Sequence, residues 1–279
     1  MMRAFVILAC ALLAQASPAP ARGPRPTLAD YPVKEIFRGA PAPVLLTTPE
    51  ARRLRTELQR QGSRPPDFAG HYKLAMIGCG STCRYGAIID ARTGQVWLPG
   101  IQTYMIHRAG ELAEVDSEFS IESELLILSG FVNEKYTGRA YYRWHGNKLT
   151  LLRVDEYSNA QLALNAELYR SLGLWYSKDP KAYEFTLDLR APVLSISTPR
   201  TFRVVKSDVV THRSDAYDGY DSIDELFTLL LDAQRLVPDR MSVTFDKDFG
   251  YPLGADVDLD GTPAGRLSFR ITSFKAAAK

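Results

Sequence analysis

Cys79 and Cys83 are the residues whose type and spacing most directly suggest chemistry in this chain. They frame the sequence C-G-S-T-C. That spacing is one residue longer than the C-x-x-C motif of thioredoxin-like proteins, and the flanking segments read as strands without the βαβ unit that the motif needs. Three chemistries therefore stay open: a disulfide, a thiol-redox pair and, with His71 as a further ligand, a site for copper or zinc.

The first 22 residues indicate the compartment, which bears on that choice. Arg3 precedes an apolar stretch at 4–13 and the sequence A-Q-A ends at Ala16, a pattern typical of a signal peptide cleaved after residue 16. Lipidation at Cys10 is the alternative. Either route predicts an exported protein, periplasmic or secreted, with a disordered lead-in and order beginning near Tyr31. Two cysteines then remain in an oxidising compartment, which favours a disulfide.

A second candidate site is acidic. Residues 215–260 carry twelve Asp and Glu against three Arg and Lys, a local charge of −9. This predicts a ligand or partner face for a cation, although a solvated surface would look the same. The proposed face consists of Asp215, Asp218, Asp221, Asp256, Asp258 and Asp260.

Residues 256–261 also match the start of a calcium loop, D-x-D-x-D-G. The twelfth position is Leu267 instead of the glutamate such loops need. A strand that runs into an Asp-Gly turn is the better interpretation.

Known catalytic and cofactor motifs are absent from the sequence. It contains no H-E-x-x-H, G-x-S-x-G, P-loop or G-x-G-x-x-G pattern. The formal charge of +2 does not indicate nucleic-acid binding, and no later segment reaches the length of a membrane span. We therefore expect a non-enzymatic protein without a cofactor that binds an envelope protein or a small ligand. The alternatives are a metal-binding or thiol-redox protein centred on Cys79 and Cys83, and a hydrolase whose site is assembled from distant residues.

The elements that position these residues fall into two groups. A helix is expected from Thr48-Pro49 to Gly62, followed by strands at 71–77, 87–90, 95–98, 125–131, 139–144 and 149–154. Residues 28–156 are thus predicted to form a mostly antiparallel β domain that contains the disulfide.

Residues 158–275 are predicted to form a second domain with helices packed on one antiparallel sheet. Ser158 with Gln161, and Ser222 with Glu225, are capping-box pairs, and Gly173 is expected to end the first helix. Strands are expected at 183–189, 201–205, 242–246, 255–258 and 267–274. The whole chain is then an α+β protein of two domains.

Two family resemblances agree with this division. The segment 168–274, through Trp175, the strand Y-E-F at 183–185, I-D-E-L-F at 223–227 and V-T-F-D at 243–246, resembles domain-of-unknown-function family 6174, found mostly in exported bacterial proteins. The segment 68–152 resembles uncharacterised exported bacterial proteins with a G-C-G-x-x-C motif. Neither resemblance implies an activity.

Overall fold

The structure, a computed structural model, describes residues 24–80, 83–104, 106–108, 111–113, 116–192, 199–211 and 216–277. The predicted signal peptide, Cys10 and Asp215 lie outside these ranges. Antiparallel strands in two large sheets are the commonest regular structure in the described backbone, accompanied by a few helices, as the sequence predicts. Within the described ranges, no helix combines the length and apolar character needed to cross a bilayer.

The α-helices are α1 (Pro49–Arg53), α2 (Arg55–Gly62), α3 (Asn159–Lys178) and α4 (Ile223–Arg235), and a 3-10 helix spans Leu28–Asp30. The strands before α3 are β1 (Tyr72–Gly78), β2 (Cys83–Asp90), β3 (Val96–Tyr104), β4 (Ile106–Arg108), β5 (Glu111–Ala113), β6 (Asp116–Phe119), β7 (Leu125–Val132), β8 (Tyr136–His145) and β9 (Lys148–Glu156). The later strands are β10 (Ala182–Arg190), β11 (Arg200–Val205), β12 (Asp208–Val209), β13 (Arg240–Phe245), β14 (Pro252–Asp258) and β15 (Arg266–Ala276).

The N-terminal sheet has the strand order β1-β2-β3-β7-β8-β9, and β6 also pairs with β7. Three strands separate β1 from β8, yet the rings of Tyr72 and Trp144 lie 5.6 Å apart, and the Tyr72 hydroxyl donates to Asn147. Neighbouring strands are spaced about 4.8 Å apart. The sheet therefore curls, and its inner face encloses a core that includes Leu126 and Leu128.

The outer face of this sheet is covered in two places. Alternation along the strands places Ala75 and Ile89 outward, where Leu58 of α2 packs on them. Further along, Ile127 and Tyr141 form an outward cluster. Leu28 and Tyr31 pack against that second cluster. The segment before α1 is therefore part of the fold.

The turn between β2 and β3 shows how the sequence fixes this sheet. Asp90 Oδ1 accepts a hydrogen bond from Arg92 N at 2.8 Å, and Asp90 Oδ2 accepts one from the Thr93 hydroxyl at 3.0 Å. Gly94 has φ +77° and lies against the carbonyl oxygen of Pro43, where a Cβ atom would collide. The predicted Ala-Arg-Thr-Gly turn is thus present, and it needs glycine at its last position.

The C-terminal sheet has the order β12-β11-β10-β15-β14-β13. Helices α3 and α4 cover one of its faces, and the core between them includes Trp175, Phe185, Phe227 and Phe269. The chain order is α3-β10-β11-β12 followed by α4-β13-β14-β15, so one helix and three strands occur twice. The prediction of two strands after the first helix missed the short strand β12.

Helix α3 does not end at Gly173 as predicted but continues to Lys178. Trp175 lies in this last part and is buried, with its ring 5.2 Å from that of Tyr183. Burial of an indole is worth more than the roughly 1 kcal/mol that glycine costs a helix. The N-terminal cap is as predicted, since Ser158 Oγ accepts from Gln161 N, whereas the C-terminal cap is Asp179 in the left-handed region and not Gly173.

Candidate binding cleft between the two sheets

A cleft of about 500 Å³ lies where the two sheets meet. Three parts of the chain form its walls: residues 24–28, the outer face of β6, β7 and β8, and residues 236–262 of the C-terminal half. Clefts of this size at the junction of two structural units are frequent ligand sites.

The pairing of β6, β7 and β8 aligns the side chains that form the cleft wall on the N-terminal sheet. Glu118 of β6 pairs with Ile127 of β7, which pairs with Tyr141 of β8. Paired residues in an antiparallel sheet project to the same face, so these three side chains form one row. Arg139 is two positions before Tyr141 and projects to the same side.

Arg139 is the buried cation of this wall. It is 6% exposed, its Nη2 atom donates to Glu118 Oε2 at 2.8 Å, and its guanidinium carbon lies 5.7 Å from the centre of the Tyr141 ring. The Nε–H is buried and has no hydrogen-bond acceptor among the described residues. An unsatisfied buried donor costs about 1–3 kcal/mol. A ligand oxygen that reached this guanidinium would remove that cost.

Asp155 accepts hydrogen bonds from two arginines and a tyrosine at one end of the cleft. It is fully buried, and its carboxylate accepts hydrogen bonds from Arg25 Nε at 3.2 Å, Arg153 Nε at 2.7 Å and the Tyr141 hydroxyl at 3.3 Å. Burial raises the pKa of Tyr141, so its hydroxyl stays protonated and donates. A buried carboxylate requires such partners.

Arg25 connects this buried carboxylate to the C-terminal half. Its Nη1 donates to the carbonyl oxygen of Leu259 at 2.5 Å, and its Nη2 donates to that of Val237 at 2.6 Å and to Asp239 Oδ1 at 3.1 Å. One side chain therefore contacts both sheets. The predicted start of order near Tyr31 is wrong, since this bonding fixes the chain by Arg25.

Val237, whose carbonyl Arg25 holds, is itself in an unfavourable conformation. Its φ is +51°, a region that β-branched residues rarely occupy, and its side chain is 3% exposed. Backbone outliers of this kind cost about 1–3 kcal/mol and are concentrated at functional sites. The strain lies beside Leu236, a residue of the cleft wall.

The opposite wall is apolar except at its rim. Leu236 and Leu259 supply its surface, and Asp260 and Thr262 supply the rim. Hydrogen bonds from the hydroxyl and the backbone N–H of Thr262, at 2.7 Å and 3.0 Å, lower the pKa of Asp260. Among the members of the predicted acidic face that the structure describes, only Asp260 lines this cleft.

The two cysteines form the predicted disulfide and do not line the cleft. Cys79 and Cys83 have Cα atoms 5.1 Å apart, and Cys79 N donates to the carbonyl oxygen of Cys83 at 3.1 Å. The bridge closes the exposed hairpin between β1 and β2.

His71 does not join the cysteines. It precedes β1 whereas Cys79 follows it, and seven strand residues span roughly 23 Å. Burial lowers the pKa of His71, whose ring lies 4.1 Å from that of Tyr72. Within the described ranges, no three His, Cys, Asp or Glu side chains are grouped as metal ligands would be. The alternative metal set of Cys79, Cys83 and His71 is thus not assembled.

The predicted acidic face is divided between different parts of the C-terminal half. Asp221 is buried beside Glu225 at the start of α4, and exposed Asp218 precedes it in the same loop. Asp256 and Asp258 are on β14. Asp258 accepts hydrogen bonds from Arg266 and Arg240 and from Gly261 N, which completes the predicted Asp-Gly turn.

Sequence reasoning missed Arg25, Glu118, Arg139 and Asp155. The signal for Arg139 was available, since it alternates with Tyr141 in a strand that contains Ala140, Tyr142 and Trp144. Nothing in the sequence points to Arg25, because its partners are more than 100 positions away. The cleft depends on tertiary contacts that local patterns do not encode.

Comparison with known proteins gives one family match. Residues 167–266 match a family of unknown function, DUF6174. This agrees with the resemblance of the C-terminal half. The matched residues include α4 and the wall of the cleft that Leu236 and Leu259 form. No curated protein and no solved structure matches the chain.

Proposed function

We propose that this chain is an exported, non-enzymatic binding protein of two domains, residues 28–156 and 158–275. In this proposal the cleft between them binds a small ligand that has an apolar body and a carboxylate. The observation that carries the proposal is the buried guanidinium of Arg139, whose Nε–H has no acceptor among the described residues.

The buried guanidinium of Arg139 favours an anionic head group. Arg139 is buried, and the acid that the structure shows paired with it, Glu118, is 39% exposed in its side chain. A planar guanidinium binds carboxylates through two parallel hydrogen bonds. A ligand carboxylate would therefore compete with Glu118 and engage the unused donor.

The remaining surface favours an apolar body. Leu28 and Ile127 face the cleft from one side, and Leu236 and Leu259 face it from the other. Burial of apolar surface stabilises a complex by about 25 cal/mol per Å². A medium-chain fatty acid such as decanoate has this combination and serves as the probe.

Calorimetric titration of the mature chain, residues 17–279, tests the proposal. Decanoate is expected to bind and decanol to bind at least tenfold more weakly, because the alcohol lacks the charge that pairs with Arg139. Arg139→Gln should weaken decanoate binding at least tenfold. Glu118→Gln should strengthen it, because the competing acceptor is lost.

Decanoate affinity is expected to fall in Arg139→Gln and to rise in Glu118→Gln, and this difference separates an effect on binding from an effect on folding. Loss of folding can imitate the effect of Arg139→Gln but not a gain in affinity. Arg240→Gln, on an exposed arginine outside the cleft, is the matched control and should change nothing. Equal binding of decanol and decanoate, or unchanged affinity in Arg139→Gln, would refute the carboxylate assignment.

Export is part of the proposal and has its own test. The segment 1–16 supports it, and the predicted cleavage leaves Arg25 in the mature chain. N-terminal sequencing of the protein from a bacterial periplasmic fraction should begin at Ser17. A lipid-modified N-terminus at Cys10 would favour the alternative route, and a chain that keeps Met1 in the cytoplasm would contradict export.

A further inference from the structure

The face of the C-terminal sheet opposite the helices carries a second depression, of about 460 Å³. Strand register arranges its side chains in cross-strand rows. In one row, Arg240 pairs with Asp258, which pairs with Arg266. Asp258 accepts a hydrogen bond from Arg240 Nη2 at 3.4 Å and from Arg266 Nε at 3.3 Å, so its charge is already compensated.

The next row has its charges separated. Asp256 pairs with Ser268, and Ser268 pairs on its other side with Arg190. Asp256 and Arg190 are therefore two strands apart, roughly 10 Å between backbones, and the small Ser268 lies between them. Both charged residues are exposed, and Arg190 forms a long ion pair with Asp188, with 3.8 Å between Nη2 and Oδ2.

Further positive charge surrounds Ser268. Arg266 and Arg270 are two positions before and after it on β15, and alternation places their side chains on the same face. The depression thus has the Asp256 carboxylate on one side of Ser268 and the Arg190 guanidinium on the other, while Arg240 and Arg266 in its lining are already bonded to Asp258. The matching ligand has an ammonium and a carboxylate held several ångströms apart.

We propose that this depression binds the two free termini of a short peptide, with the ammonium on Asp256 and the carboxylate on Arg190 and its arginine neighbours. An extended chain advances about 3.3–3.6 Å per residue, so three residues span the roughly 10 Å between the two ends. Guanidinium groups bind a terminal carboxylate through paired hydrogen bonds, and a carboxylate accepts from an ammonium. This site is separate from the inter-sheet cleft.

A peptide series tests the proposal on the mature chain by amide NMR titration. Triglycine has both charges, triglycine amide keeps only the ammonium, and N-acetyltriglycine keeps only the carboxylate. Triglycine should shift the amide resonances of Asp256, Ser268 and Arg190, and each blocked peptide should bind at least tenfold more weakly. Equal binding of all three peptides, or shifts confined to other regions, would refute the site.

Substitutions of Asp256 and Arg190 test which protein charge binds which terminus of the peptide. Asp256→Asn should remove the preference for triglycine over N-acetyltriglycine, and Arg190→Gln should remove the preference over triglycine amide. Both residues are exposed, so neither change should unfold the protein, which a thermal melt verifies. Arg203→Gln, on the neighbouring strand β11, is the control and should leave triglycine binding unchanged. A similar loss in the control would indicate nonspecific charge attraction and contradict the proposal.

Discussion

The Nε atom of Arg25 lies 3.2 Å from Oδ2 of Asp155, a carboxylate that is fully buried in the N-terminal sheet. The other nitrogens of the same guanidinium donate to the carbonyl oxygens of Val237 and Leu259 in the C-terminal half. A residue only nine positions after the predicted cleavage site therefore connects the two sheets. It also forms part of the wall of the cleft between them.

Asp155→Ala should lower the thermal midpoint substantially. The substitution leaves the partly buried guanidinium groups of Arg25 and Arg153 without their shared carboxylate. Breaking such a buried pair costs about 3–5 kcal/mol, or a drop of roughly 6–20 °C for a chain of this size. Differential scanning calorimetry measures the change.

Arg25→Gln should have a smaller effect, since Asp155 would keep its bonds to Arg153 and Tyr141. Arg60→Gln is the control, because it removes only a solvent-exposed pair with Glu57 and should leave the thermal midpoint nearly unchanged. Equal midpoints for Asp155→Ala and Arg60→Gln would show that the buried cluster does not stabilise the fold.

Removal of the disulfide should affect stability but not the cleft. Replacing both Cys79 and Cys83 by alanine opens a turn of five residues, which the chain-entropy model values at about 2 kcal/mol. The thermal midpoint should fall, and decanoate affinity should stay unchanged because the hairpin lies outside the cleft.

Thiol alkylation and the thermal midpoint of the double variant together separate a structural role of the cysteines from a redox or metal role. Intact mass before and after alkylation should show no free thiols in freshly isolated protein. An unchanged midpoint in the double variant, or bound copper or zinc in the wild type, would contradict a purely structural disulfide.

Glu225 should make stability depend on pH. Burial, followed by the hydrogen bond and charge of the Asp221 carboxyl, raises its pKa from 4.5 to about 7. The folded protein then binds more protons than the unfolded chain between these values, so stability falls as the pH rises through this window. Its contribution is greatest below pH 4.5.

The measurement compares thermal midpoints of wild type and Glu225→Gln from pH 4.5 to 8. The wild type should lose stability relative to the variant as the pH rises, because the glutamine stays neutral. Glu184→Gln, at an exposed position, should run parallel to the wild type. Parallel curves for wild type and Glu225→Gln would mean that folding does not raise the pKa of Glu225.

The elements of this fold could be predicted where their signals are local. Ser158 and Ser222 cap their helices as expected, because each hydroxyl accepts from a backbone N–H three residues later. The hairpin between β8 and β9 follows from alternation and the turn at residues 145–148. Glycine at 173 was misleading, since the burial of Trp175 two residues later keeps α3 helical.

The site could not be predicted, because its residues come together only through tertiary structure. Arg25 and Asp155 are 130 positions apart, and the acidic residues that looked like one surface divide among a loop, a strand and the cleft rim. Charge density in a sequence does not specify which sheet face a residue occupies. Asp258 acquires its two arginine neighbours only through the pairing of β13, β14 and β15.

In the proposed complex, one ligand contacts both sheets at once. An isotope-filtered NOE experiment on methyl-labelled protein with decanoate tests this directly. We expect ligand contacts to the Ile127 methyl groups of the N-terminal sheet and, in the same complex, to the methyl groups of Leu236 and Leu259. Contacts to methyl groups of one sheet only, or to methyl groups outside the cleft, would contradict the account.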